Sequence, residues 1–255
     1  GLDAASGVMA ALEEEGVGLP VSEETVVPIV PAAVLFDLNV GSSSVRPGVN
    51  WGYEAAQQAN DSPVTSGNVG AGMGATVGKL LGPARATKGG LGRARIDLDN
   101  GVIVSALVAV NAVGEIVDTL SNTVVAGIRA NDVGQYDSAI DVALGNTAKV
   151  PVAGTNTTLG LIATDANLSK PQLKKVAEMA HDGMARAIRP IHTQFDGDTV
   201  FAVSMPWSEV ETTPDAQLNS IGIAGAKALE FAIVDAVRSA KSVGDVVACC
   251  DWHID

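Results

Sequence analysis

Residues 151–169 read PVAGTNTTLGLIATDANLS, and the centre of that stretch decides how the chain is built. A small polar approach (Gly154, Thr155, Asn156) meets two hydroxyls, Thr157 and Thr158, and then an abrupt apolar run. The run reads as a buried strand. Two readings of its leading edge compete. Asn and Thr favour turns because their side chains bond to nearby backbone. Alternatively, the chain cuts itself between Asn156 and Thr157 and makes Thr157 a new N-terminus. A threonine hydroxyl is a weak nucleophile without a base beside it, and a freed α-amine, with an unperturbed pKa of about 7.7–8.0, supplies that base on the same residue. Asn146–Thr147 is an internal control, the same dipeptide in a polar stretch with no strand after it, and it reads as linker. Asn156-Thr157-Thr158 also fits the glycosylation sequon, which is discounted because no secretory signal is visible.

Outward from this junction the chain reads as layered α/β. Toward the C-terminus, Ser169 and Gln172 form a capping-box pattern, and Leu173, Val176, Ala180, Met184 and Ile188 follow on one stripe, predicting an amphipathic helix. DGDTVFAVS (196–204) is a turn feeding a strand, and AQLNSIGIAGAKALEFAIVDAVRSA (216–240) is a helix apolar on most of its circumference, expected between layers. Toward the N-terminus, residues 67–110 are Gly-rich and read as successive antiparallel strands. Arg93, Arg95 and Asp97 alternate with Ala94, Ile96 and Leu98, giving one wet and one buried face. Residues 131–151 read as a mobile linker. Residues 1–18 and NWGYEAAQQA (50–59) predict helices, the first stopped by Gly16, and TVVPIVPAAVLFDL (25–38) predicts short marginal strands broken by Pro28 and Pro31.

The 255 residues suffice for a sizeable core in one domain. Hydrophobic residues make up 47% and aromatic residues only 4%, with 28 Gly, so small aliphatic side chains and close backbones fill the interior. A net charge of -13 with 16 scattered basic residues excludes nucleic acid and anionic membranes as partners. No apolar run reaches the roughly 18 residues a spanning helix needs. Cys249 and Cys250 are adjacent and cannot staple distant loops, which points to a reducing, cytoplasmic compartment. Residue 1 is Gly, so the chain is expected to be processed, trimmed or a fragment.

Conventional chemistry finds little support. His181, His192 and His253 lack partners at metal-ligand spacing, so neither a metal nor a cofactor is expected. GNVGAGMG (67–74) precedes a strand pattern and is a poor dinucleotide fingerprint. Cys249 reads as a buried structural thiol. Around Thr157 the candidate helpers are Asp196 and Asp198, whose carboxylates share a face on an extended segment, and Lys79 and Asn111, polar groups that interrupt apolar runs. The alternatives are an acidic turn or a calcium ligand pair for the carboxylates, and ordinary strand-end residues for the other two.

NTTLGLIATDANLSKPQLKKVAEMAHDGMARAIRPIHTQFDGDTVFAVS (156–204), with GAGMGATVGK (70–79) and VNAVGEIVD (110–118), resembles the self-processing N-terminal-nucleophile hydrolases. These include the L-aminopeptidase/D-esterases, the β-peptidyl aminopeptidases and the nylon-oligomer (6-aminohexanoate-oligomer) endohydrolases. The resemblance implies an α/β (α+β) fold, an αββα sandwich shared with the ornithine acetyltransferases. It implies cleavage at Asn156–Thr157 into parts 1–156 and 157–255 of a single domain, with Thr157 as nucleophile and Asn111 as oxyanion donor. Lys79 would activate the nucleophile, and Asp196 and Asp198 would form the acidic network around the terminal amine. Asn-Thr at the cut with Asp-Gly-Asp downstream looks more like the nylon-oligomer branch, so linear 6-aminohexanoate amides are the leading expected substrate. Peptide or amide substrates of an aminopeptidase are the alternative, followed by acyl transfer or a non-catalytic assembly role. Homo-oligomers of processed heterodimers are expected. Family members carry a longer N-terminal region with early strands and a Tyr near the active site, and the chain is expected to lack that part.

Overall fold

The computed structural model describes residues 1–145, 155–206 and 214–252. Its contacts divide the chain into two units, residues 1–34 with 42–64, and residues 35–41 with 65–255.

In the smaller unit, helix α1 (Asp3–Glu14) packs on helix α2 (Val49–Gln57). The approach is close because glycines face backbone. A Cβ on Gly7 would lie 1.8 Å from the Val49 carbonyl oxygen, and one on Gly52 would lie 1.8 Å from that of Ala4. Gly16, with φ of +70°, follows the end of α1 as the sequence suggests. Of the expected marginal strands only Val26–Val27 forms, against Leu19–Pro20. Proline removes ladder donors, and residues 28–36 stay irregular.

The larger unit is built on a four-stranded sheet. Its strands are β1 (Gly90–Asp97), β2 (Ile103–Asn111), β5 (Thr157–Thr164) and β7 (Thr199–Ser204), in the order β7-β5-β2-β1. β1, β2 and β5 are successively antiparallel, while β7 runs parallel to β5. A parallel pair needs a crossover, supplied here by helix α4 (Lys170–Ala187). A three-stranded sheet orders β6 (Ile188–Arg189), β3 (Glu115–Asp118) and β4 (Thr123–Ala126) as β6-β3-β4.

Helices α4 and α5 (Asp215–Arg238) pack together over the four-stranded sheet. Val176, Ala180 and Met184 of α4 and Ile221, Leu229 and Ile233 of α5 are fully buried with Val104, Val108 and Ile162 of the sheet. The α4 stripe and the capping box at Ser169 and Gln172 follow the sequence reading, and the Ser169 N–H donates to Gln172 Oε1 at 3.0 Å. Small residues set the layer spacing. A Cβ on Gly92 would stand 2.0 Å from the Ala232 carbonyl oxygen, and one on Gly183 2.1 Å from that of Ala226. The wet-and-buried alternation of β1 is present, Arg93, Arg95 and Asp97 being exposed.

Two expectations fail. GNVGAGMGATVGK (67–79) is largely irregular around the turn Gly70–Gly72, with pairing confined to a single bridge from Gly67 to Leu91 and to Thr76–Val77 against Thr87–Lys88, because its glycines adopt positive φ and approach other backbone. The supposed linker is built in its described part. Tyr136–Asp137 pairs with Ile128–Arg129, and helix α3 (Ala139–Leu144) begins at Ser138, with Glu115 Oε2 accepting from the buried Ala139 N–H at 2.8 Å. The control dipeptide Asn146–Thr147 lies outside the described residues, as does His253.

Candidate active site

Thr157 opens β5, the strand flanked on both sides by β2 and β7, and stands opposite Asn111, the last residue of β2. Asn111, Asn156, Thr157 and Thr158 are all buried. The peptide preceding Thr157 is held from outside the sheet, where Asn156 bridges Asp196. The Asn156 carbonyl oxygen accepts two hydrogen bonds, one from the Thr157 hydroxyl at 2.6 Å and one from the Gly197 N–H at 2.8 Å. A side-chain hydroxyl and a backbone N–H donor thus meet at one carbonyl. Gly197 is required sterically as well, since a Cβ there would come within 2.9 Å of Thr157 Oγ1.

Lys79 approaches from the other side. Its ammonium donates to the Asn111 carbonyl and Oδ1, both at 2.9 Å, and to the Thr155 carbonyl at 3.4 Å. Although the side chain keeps some accessible surface, its ammonium is densely surrounded. Burial lowers its pKa to about 7 against the opposing charges of Asp196, Asp198 and Asp37. A neutral amine is therefore accessible near neutrality, as a general base requires. Asn111 Oδ1 also accepts from the Thr76 N–H at 3.0 Å, while its amide donates to the Phe36 carbonyl at 3.0 Å and the Thr155 carbonyl at 3.5 Å. That amide is engaged by backbone, in part next to the junction.

The two carboxylates sit in different surroundings. Asp196 Oδ2 accepts from the Thr193 N–H at 2.9 Å and hydroxyl at 2.6 Å, and burial together with the Asp198 charge raises its pKa despite those bonds. Asp198 Oδ1 accepts from the Thr158 N–H at 2.7 Å, and Oδ2 from His192 Nδ1 at 2.9 Å. Among the described residues, three buried side-chain polar atoms have no hydrogen bond: Asn156 Oδ1, Thr158 Oγ1 and Asp196 Oδ1. Two are on the residues that flank Thr157, and the third is on Asn156's bridge partner. Each such acceptor costs on the order of 1–3 kcal/mol.

All five side chains singled out from the sequence, Thr157, Asn111, Lys79, Asp196 and Asp198, thus come together around the 156–157 peptide. Sequence reasoning misses Gly197, whose contribution is a backbone N–H, and His192 and His181 beside Asp198, whose spacing speaks only to metal ligation. The irregular Thr193–Gly197 turn that brings these groups in has no periodicity to reveal it. Cys249 is buried, donates its thiol to the Val237 carbonyl at 3.1 Å, and has its pKa pushed by burial to about 11, which suits a structural role.

Relatives say what class of chain carries this fold and junction. The profile of peptidase family S58 matches residues 1–247, and the chain belongs to that family. It is 40% identical to an uncharacterized aminopeptidase of Mycobacterium leprae over 98% of this chain and 72% of that protein. It is 34% identical to a 6-aminohexanoate-oligomer endohydrolase of Paenarthrobacter ureafaciens over 88% of this chain and 62% of that enzyme. The mixed α/β architecture matches that of an L-aminopeptidase D-Ala-esterase/amidase from Ochrobactrum anthropi, a variant of the N-terminal-nucleophile hydrolase fold. That match has a TM-score of 0.58 and 18% identity, covering 97% of this chain and 68% of that one.

Proposed function

We propose that the protein is an amide hydrolase that activates itself by opening the Asn156–Thr157 bond and then acts as an aminopeptidase on peptides or small amides, with Thr157 as nucleophile. The observation that carries this reading is the double hydrogen bond on the Asn156 carbonyl, from the Thr157 hydroxyl and the Gly197 N–H. In the first step Thr157 Oγ1 attacks the Asn156 carbonyl carbon and its proton passes to base, for which Lys79 is the group with a suitable pKa. Gly197 N–H stabilises the oxyanion. Collapse expels the Thr157 nitrogen, which takes a proton, and leaves an ester between Asn156 and the Thr157 oxygen. Water hydrolyses that ester, giving an Asn156 carboxylate and a free Thr157 amine. The new amine adds N–H donors on the residue between Asn156 and Thr158, whose Oδ1 and Oγ1 have no hydrogen bond.

In the mature protein the same hydroxyl attacks the substrate carbonyl, the Thr157 amine shuttles the proton, and Asn111 with backbone donors holds the oxyanion. The aminopeptidase reading takes precedence over nylon-oligomer hydrolysis. The 40% identity to the mycobacterial aminopeptidase outweighs the 34% to the oligomer endohydrolase, and the Asn-Thr and Asp-Gly-Asp pattern that suggested the latter concerns the cut rather than the pocket.

Mass spectrometry of the denatured protein tests the first step, with two fragments meeting at Asn156–Thr157 expected and Thr157→Ala remaining whole. A Thr157→Ala chain that still splits there would remove the mechanism. Release of free amino acid from aminoacyl p-nitroanilides, compared with cleavage of linear 6-aminohexanoate trimer, tests the substrate. Faster turnover of the trimer would reverse the preference.

A further inference from the structure

Asp198 is held by more than the site at the junction requires. Its Oδ1 takes the Thr158 N–H at 2.7 Å, and its Oδ2 takes both the His192 backbone N–H at 3.3 Å and the His192 ring at 2.9 Å. His192 reaches that oxygen twice because its backbone lies at φ of +56°, a region that non-glycine residues seldom occupy. The ring's other nitrogen, Nε2, meets His181 Nδ1 of α4 at 3.2 Å, with the two rings edge to face at 4.8 Å between centroids. The Asp198 side chain is 2% exposed and that of His192 is 38% exposed, so the series runs from a buried carboxylate to solvent.

The donor and acceptor pattern follows from the ends. A carboxylate at Oδ2 requires Nδ1–H on His192, which leaves Nε2 an acceptor and makes His181 Nδ1 the donor. One proton added at His192 Nε2 turns that nitrogen into a donor and is accommodated only if His181 passes to its Nε2–H tautomer and accepts at Nδ1. A second, on His181, sets two donors against each other. Burial and the His192 charge both lower the His181 pKa, against the attractions of Asp198 and Asp182. The other charged groups facing Asp198 are Lys79 and Asp196.

We propose that His192, seated by His181, is a positioning residue that locks Asp198 and, through the Thr158 N–H, fixes the leading edge of β5 on which Thr157 is presented. The inference rests on the self-cleaving reading above in its consequence for rate, while the coupling itself is a property of the uncut chain. Misplacement of a reacting group by about 1 Å costs up to about 100-fold in rate. His192→Leu is therefore expected to slow cutting at least 10-fold. His192→Asn, which tolerates positive φ and keeps an N–H donor, should stay within about 3-fold of wild type. His181→Leu is expected to shift the pH profile of cutting while leaving its maximum within about 3-fold.

The coupling is read by NMR in the full-length Thr157→Ala chain. The Thr158 amide proton should move with the titration of the His192 ring, and that movement should vanish in the Thr157→Ala/His192→Asn chain. The His181 pKa should rise there because a neighbouring charge is gone. A Thr158 amide that ignores the His192 titration, or a His192→Leu chain that cuts at the wild-type rate, overturns the proposal. A wild-type chain that stays whole refutes self-cleavage, and the NMR titration then still decides the coupling.

Discussion

Two lysines lie deep in the larger unit, and each gives its ammonium to three oxygens, yet they do different work. Lys88, with no accessible surface, donates to the carbonyls of Gly72, Ala75 and Gly89 at 2.7, 3.0 and 3.0 Å. It ties the irregular glycine segment to Gly89 and uses every ammonium hydrogen on backbone carbonyls. Lys79 instead grips Asn111 and the Thr155 carbonyl, beside a peptide whose oxygen already carries a hydroxyl and an amide. Burial lowers both, Lys88 to about 8 and Lys79 to about 7. Lys88 feels the charge of Asp37, whereas Lys79 feels Asp196 and Asp198 as well and is lowered further despite their pull. A buried cation becomes chemically useful through the neighbours it faces rather than through burial alone.

The sharpest break of this comparison is in rate. Lys79→Met should slow cutting at Asn156–Thr157 by about 1000-fold, and Lys88→Met should leave the folded chain cutting at its normal rate, both followed by mass spectrometry. Equal rates in both variants would reduce Lys79 to a second clamp. Stability is expected to respond in the opposite order. Lys88→Met takes their lysine donor from the Gly72 and Gly89 carbonyls, while the Ala75 carbonyl keeps the Gly89 N–H, and should cost about 2 kcal/mol or more in urea denaturation, against about 1–2 for Lys79→Met, where Asn111 Oδ1 keeps the Thr76 N–H.

The pH dependence follows with its sign. The folded pKa values of about 7 and about 8 lie below the ordinary 10.5, so between them and 10.5 the unfolded chain binds more protons and stability rises with pH. Above the ordinary thiol value of 9.0 the Cys249 thiol, pushed to about 11, works the other way. The rise is therefore cleanest between about 8 and 9, and Lys88→Met should flatten it. The cutting rate should climb through about 7 as Lys79 loses its proton and show no such step in Lys79→Met. The smallest effect is expected from Asp37→Asn. It removes a charge that both lysines feel and should displace the rate profile downward by less than about one pH unit.

Much of the site was legible because it sits where regular patterns end. Thr157 is the first residue of an apolar run, and Asn111 is the last of another, so the same edges that mark strands also marked the pair that the register brings face to face. Helix α4 was legible from its apolar stripe and α5 from being apolar on most of its circumference. What escaped depends on contacts without periodicity. Gly197 acts through a peptide N–H that no side chain advertises. Nothing in the sequence around Lys88 signals the three carbonyls that close on it. The stretch 131–145 reads as linker because its polar residues are capping a short helix and pairing with Ile128–Arg129, tertiary roles that composition does not separate from disorder.

The strand that begins at Thr157 is bordered on one edge by β2, which precedes it in the chain, and on the other by β7, which follows it. Severing the backbone at its tip would therefore convert an intramolecular ladder, eight residue pairs from Thr157 with Asn111 to Thr164 with Val104, into a seam between two polypeptides. The pieces would travel as one particle until denatured. Segments 1–156 and 157–255 supplied as separate polypeptides could regain the fold only by reassembling the sheet across its middle, where the separated edges of β2 and β5 must find each other in register.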